Sequence, residues 1–156
     1  MEKTYCKIYK YVEEISEKLN TLLLVEPRVK IVITPDEAPN GLCIISISSA
    51  YIEVRLPHTI DIKKVNETQL TLPWYKDIIS SILIHEYCHY IDAVNMTLSG
   101  RKKDIQRYNR DVKYRRMTEI QTWKNTKIVA KWLGMWDKQF FKRVKEYHMY
   151  TGKLKY

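Results

Sequence analysis

Apolar side chains recur in steps of three and four between Tyr5 and Leu24, at Ile8, Tyr11, Val12, Ile15, Leu19, Leu22 and Leu23. That spacing predicts an amphipathic helix with these residues on its buried face. Its end is expected before Glu26-Pro27, because proline disfavours helical geometry in the residue ahead of it. Val29 to Thr34 reads as a short β-branched strand closed by Pro35, and Pro39-Asn40-Gly41 is a turn signal. Leu42 to Ser49 and Tyr51 to Leu56 follow as strands. The second alternates Ile52, Val54 and Leu56 with Tyr51, Glu53 and Arg55, and a period of two marks half-buried antiparallel pairing. Ser48-Ser49-Ala50 fits a hairpin or the middle of one long strand.

A polar connection from His58 to Thr71 leads to Pro73, placed where the first turn of a helix tolerates proline. Trp74 to Val94 is apolar all round (Ile78, Ile79, Ile82, Leu83, Ile84, Ile91, Ala93, Val94), the mark of a buried central helix, with a stop expected by Ser99-Gly100. Val112 to Leu133 predicts a second long helix ended by Gly134. Asp137 to Tyr150 predicts a last one, carrying Phe140, Phe141, Val144 and Tyr147 toward the core.

Helix, small mostly antiparallel sheet, then helices make the fold class α+β. With 156 residues and no linker, repeat or low-complexity tract, residues 1–156 read as a single domain. No apolar run approaches the roughly 18 residues that cross a bilayer, and the N-terminus lacks a signal-type stretch, so the expectation is a cytoplasmic protein with no membrane contact. Cys6, Cys43 and Cys88 are odd in number and form no CxxC pair, which argues for reduced thiols and against a thiolate zinc ribbon. Charge is uneven: residues 1–100 hold 10 basic and 13 acidic side chains, whereas 101–156 hold 17 and 5.

The chemistry concentrates in His85-Glu86-Tyr87-Cys88-His89. Two histidines at i and i+4 share a helix face, so both imidazoles can reach one metal ion at about 2.0–2.1 Å. The intervening Glu86 points to one side, where it can accept a proton from a water without being a ligand. Random placement of four His and eleven Glu in this length gives about 0.007 expected matches.

A third ligand is still needed. Asp92 and Asn95 stand where a metzincin carries Gly and His, which excludes that class. Asp92, about 10 Å along the helix from His85, is either an acceptor holding an imidazole or a helix-face acid. At 100° per residue, Val112, Glu119, Trp123, Thr126, Ala130 and Leu133 fall on one side of the next helix. Glu119 therefore projects from a mostly apolar stripe, where a carboxylate is costly unless paired or bound to metal. The competing reading pairs it with Arg115 or Arg116, or leaves it solvated; Glu146 is a weaker candidate ligand.

At this point the chain resembles the gluzincin zinc metallopeptidases, and in its length the minigluzincins and short HExxH proteins of phages and mobile elements. The motif portion is His85 to Asp92, and Met117-Thr118-Glu119-Ile120 matches the glutamate helix. The resemblance implies a zincin-like fold with zinc on His85, His89 and Glu119, and an edge strand within 42–56 to which a peptide substrate adds. Cys88 departs from the small residue many members carry, and Trp123 stands four after Glu119, where some have aspartate. Members place a His or Tyr after the motif to stabilise the oxyanion; His148, Tyr147, Tyr114 and Tyr108 are the candidates.

The expected function is thus a zinc-dependent endopeptidase with Glu86 activating water. Two rivals accompany it. Arg101-Lys102-Lys103, Arg107-Tyr108, Lys113-Tyr114-Arg115-Arg116 and Trp123-Lys124 interleave bases with aromatics, which suits an acidic or nucleic-acid-bound partner. Alternatively the zinc stabilises an interaction protein, or the tail Tyr147 to Tyr156 covers the cleft and keeps the enzyme latent.

Overall fold

A computed structural model describes residues 2–34, 40–45, 50–57 and 72–150. Helix α1 (Glu2–Leu23) buries Ile8, Val12, Ile15 and Leu19 against the core, as their spacing predicts. Leu22 does not join them; it is 38% exposed. The helix stops at Leu24, whose φ of 53° lies in the left-handed region and whose side chain is 89% exposed.

Three strands follow: β1 (Arg28–Thr34), β2 (Asn40–Ile45) and β3 (Ala50–Pro57). They form one sheet in the order β1-β3-β2. The expectation of a mostly antiparallel sheet needs correcting, because β3 runs antiparallel to β2 but parallel to β1, with Val29 opposite Ile52 and Cys43 opposite Ile52 on the other side. Alternation in the sequence fixes which face a residue occupies, not the direction of its neighbour. That face is as expected: Ile52, Val54 and Leu56 are fully buried. The antiparallel pairing of Ile45 with Ala50 makes β2 and β3 separate strands. Residues 35–39 and 46–49, with their turn signals, and the 58–71 connection lie outside the described residues.

Helix α2 (Leu72–Leu98) runs through the centre. Ile78, Ile79, Ile82, Leu83 and Ile84 are at most 3% exposed; each contributes about 1.5–3 kcal/mol of burial. Against it pack α1, the sheet, α4 (Val112–Trp132) and α5 (Lys138–Tyr150). Tyr11 meets Ser80 at 2.7 Å and Tyr87 meets the Asn20 carboxamide at 2.8 Å, so α1 is also keyed to α2 by buried hydroxyls. Arg143 of α5 pairs with Asp77.

Between α2 and α4 lies a short helix, α3 (Lys102–Arg110), which the periodicity does not announce. Asp111 ends it and caps α4, its Oδ1 accepting from the Tyr114 N–H at 3.0 Å. Helix α4 closes in a Schellman turn: Met135 N–H donates to Ala130 O and Gly134 N–H to Lys131 O, both 2.9 Å, with Gly134 at φ 68°. Phe140 and Val144 are buried in α5 as predicted. The side chains of Phe141, Glu146, Tyr147 and His148, and residues 151–156, lie outside the described set. Val112, assigned by helical phase to the inward stripe of α4, is instead 69% exposed, and the buried residues of this helix begin only at Thr122. No helix of the described residues is long and apolar enough to cross a membrane.

Candidate metal centre

His85 and His89 sit one turn apart in the second half of α2, on the side facing α4, and Glu119 projects from α4 onto them. The His85 and His89 Nε2 atoms are 3.1 Å apart. Glu119 Oε2 is 3.2 Å from His85 and its Oε1 is 3.1 Å from His89. At metal–ligand distances of 2.0–2.1 Å, tetrahedral geometry separates neighbouring ligand atoms by about 3.3–3.4 Å. The observed separations lie just below that figure, with one carboxylate oxygen of Glu119 beside each ring nitrogen.

The protons also fit a cation. Thr122 Oγ1 donates to Thr118 O at 2.9 Å and Thr126 Oγ1 donates to Thr122 O at 2.8 Å. With both hydroxyl protons spent along the helix, the threonine oxygens can only accept from the ring nitrogens beside them. Those are His89 Nδ1, 3.5 Å from Thr122, and His85 Nδ1, 3.4 Å from Thr126. A proton on Nδ1 leaves Nε2 of a neutral imidazole with a bare lone pair. Two such lone pairs and a carboxylate converging on one point require a positive charge between them, a proton or a metal ion.

Glu119 is held on several sides. Burial would raise its pKa, but hydrogen bonds from His85 and His89 when a proton stands in for the cation, and from Tyr108, overcome this and hold it well below the usual carboxylate range. The Tyr108 hydroxyl, brought in by α3, donates to Oε1. Burial and that carboxylate both push the phenol up, so it stays a donor. Trp123, one turn after Glu119, lays its ring on His85 with centroids 4.2 Å apart and planes 30° from parallel.

Glu86 occupies the opposite, strand-covered side. It is 8% exposed, and β2 crosses it at Gly41: a β-carbon there would lie 2.7 Å from Glu86 Cγ and 2.8 Å from its Oε1. Only glycine lets the strand pass this close. A Cys43 backbone hydrogen bond steadies the carboxylate, while burial, the largest influence, raises its pKa against the pull of His85 and His89. Burial likewise pushes the Cys43 and Cys88 thiols up to about 12, which makes both poor thiolate ligands.

The structure therefore brings together His85, His89 and Glu119, with Glu86 beside them. It places others elsewhere. Asp92 is half-buried, its pKa raised by burial and moderated by His89 and Arg101, while the His89 Nδ1 is beside Thr122. Tyr114 lies under the Arg107 guanidinium, 4.5 Å from ring centroid to carbon; the phenol on the cluster is Tyr108. The side chain of His148 is among those not described. Sequence reasoning missed Thr122, Thr126 and Gly41. The threonines left a signal, a Thr118-Thr122-Thr126 ladder at i+4 on the glutamate helix, but Gly41 read only as a turn residue. No family model, curated protein or solved structure matches the chain.

Proposed function

We propose that this chain is a zinc-dependent endopeptidase of gluzincin type, with His85, His89 and Glu119 holding the ion and Glu86 as proton acceptor. The observation that supports it most is the convergence of two Nε2 atoms and one carboxylate within 3.1–3.2 Å beside a buried, non-ligating glutamate. A zinc ion in such a donor set supplies Lewis acidity, making a water beside it a stronger acid, with a pKa toward about 7, and polarising a carbonyl oxygen.

The chain's own groups account for the rest. Glu86 takes the proton as the water attacks a peptide carbonyl, and gives it to the leaving amine as the C–N bond breaks. Thr122 and Thr126 keep the imidazoles in the ligating tautomer. Tyr108 keeps Glu119 in place. Strand β2 pairs with β3 along one edge and is the outer strand of the sheet, so its other edge is where an extended peptide adds above Glu86. The substrate is accordingly a peptide or an extended stretch of a protein.

Elemental analysis combined with Glu86→Gln tests the reading. The expected result is one zinc per chain in both proteins, with hydrolysis of a denatured protein lowered on the order of 10²–10⁴-fold in the variant. Undiminished hydrolysis by Glu86→Gln removes Glu86 from the mechanism. Unchanged zinc content in Glu119→Ala moves the third ligand elsewhere.

A further inference from the structure

The outer face of α4 is a line of cations. Lys113, Arg116, Lys124, Lys127 and Lys131 follow one another at steps of three, eight, three and four, with Ile120 filling the gap, and all are exposed. Over 18 residues at 1.5 Å each, the line is about 27 Å long.

A merely solvated helix face carries charges of both signs, paired at i+4. This one does not. The only carboxylate within α4 is Glu119, which is turned inward to the histidines. The acids just before it are committed too: Asp104 to Arg101, and Asp111 to Arg107 and the α4 cap. Among the described residues no carboxylate lies within ion-pair distance of Lys113, Lys124 or Lys131. Lys113, Arg115 and Arg116 moreover crowd the N-terminal turns of α4, where the helix dipole disfavours cations and the first turn has no acid. Beyond the Asp111 cap, α4 thus carries like charges at neighbouring positions, three of which, Lys113, Lys124 and Lys131, have no acid beside them among the described residues.

From this we infer that the outer face of α4 binds the phosphate backbone of duplex nucleic acid, a function separate from hydrolysis. The surface suits a duplex better than its alternatives. Single strands are held by stacking on successive aromatic rings, whereas the exposed apolar residues among these cations are the aliphatic Met117, Ile120 and Ile128, with Trp132 at the end of α4 as its one exposed aromatic ring. An interfacial membrane helix inserts a broad apolar half kept apart from its charges; the exposed apolar residues of α4, Val112, Met117, Ile120, Ile128 and Trp132, are instead interleaved along the chain with the cations, and its other side is buried at Thr122, Thr126, Val129 and Ala130.

The test is fluorescence anisotropy of a labelled 20-base-pair DNA with the full chain, in KCl from 50 to 200 mM. Three to five phosphate contacts give a log–log salt slope of about −3 to −4.5, a weakening of roughly 40- to 500-fold over that range. Lys113→Glu/Lys124→Glu/Lys131→Glu is expected to flatten the slope by about 3 and weaken binding at least 30-fold at 50 mM. Lys7→Glu/Lys10→Glu/Lys18→Glu, on α1, has the same net charge and is expected to bind as wild type. Equal losses in both variants would show diffuse attraction by net charge and overturn the inference. So would no binding by wild type at 50 mM, or a preference for vesicles of phosphatidylserine over DNA that the α4 variant abolishes.

Discussion

Gly41 and the two threonines matter through what they do to other residues. A methyl at position 41 must occupy space within 2.8 Å of the Glu86 carboxylate, so Gly41→Ala is expected to push Glu86 off its position. For a group that takes the proton, the role proposed for Glu86, displacement by about 1 Å costs on the order of 10²-fold. The expected outcome is that loss in kcat with zinc content unchanged, measured by peptide hydrolysis and elemental analysis. Thr126→Val removes the oxygen beside His85 Nδ1 while keeping the shape. Zinc affinity in a chelator competition is expected to fall about 10- to 100-fold and to recover in Thr126→Ser. Unchanged affinity would mean that the tautomer is set in some other way.

At the scale of elements, the helix ends are unequal. Gly134 takes the left-handed position after α4, whereas Leu24 takes it after α1 with its side chain almost fully exposed. Left-handed geometry costs an L-residue roughly 1–2 kcal/mol and glycine gives back part of that gain as chain entropy. Leu24→Gly is therefore expected to stabilise the protein by about 0.5–1 kcal/mol, read from the urea midpoint. The start of α4 responds to pH. Asp111 is held below the usual carboxylate range, first by the Tyr114 N–H it accepts from. A depressed folded pKa gives stability that is present above the ordinary aspartate range and is lost as pH falls through the folded value. Thermal melts of Asp111→Asn, which keeps a cap without the titration, are expected to depend less on pH between 5 and 2.5 than those of wild type.

Much of this element plan was legible in the chain. The 3.6-residue period of α1, the apolar run of α2 and the strand alternation of β3 each report on one element's own burial, and local spacing carries that information. Two features depended on what sequence spacing does not encode. Helix α3 is mostly polar and exposed, so it has no apolar stripe to announce it, and its one contribution to the site, Tyr108, shows only in three dimensions. The parallel alignment of β1 with β3 is a choice of topology. Within the site, the histidine pair was legible because i+4 on a helix fixes geometry. Glu119 was legible because an acid in an apolar stripe is costly, although the phase drawn through Val112 erred at the exposed start of α4.

For the whole molecule, the donor set bridges residues 34 apart in sequence, joining the central helix to α4 across α3. An ion bound there binds the folded chain and not the unfolded one. At a free zinc concentration 100 times the Kd it adds about 2.7 kcal/mol, which for a domain of this size raises Tm by about 5–11 °C. Calorimetry with zinc against a chelator is expected to show that rise in wild type and its loss in His85→Ala/His89→Ala. Equal melting temperatures with and without zinc would remove the metal from the fold's stability.

The indole of Trp123 lies face to face with one of the proposed ligands, whereas Trp132 is 65% exposed and Trp136 is tilted against Phe140. An aromatic chromophore in contact with an imidazole changes its emission when that ring gains a positive neighbour. The protein therefore carries its own optical indicator, and the difference in fluorescence between wild type and Trp123→Phe isolates that signal. Occupancy of the centre can then be followed in unlabelled protein at micromolar concentration, in real time and without a substrate.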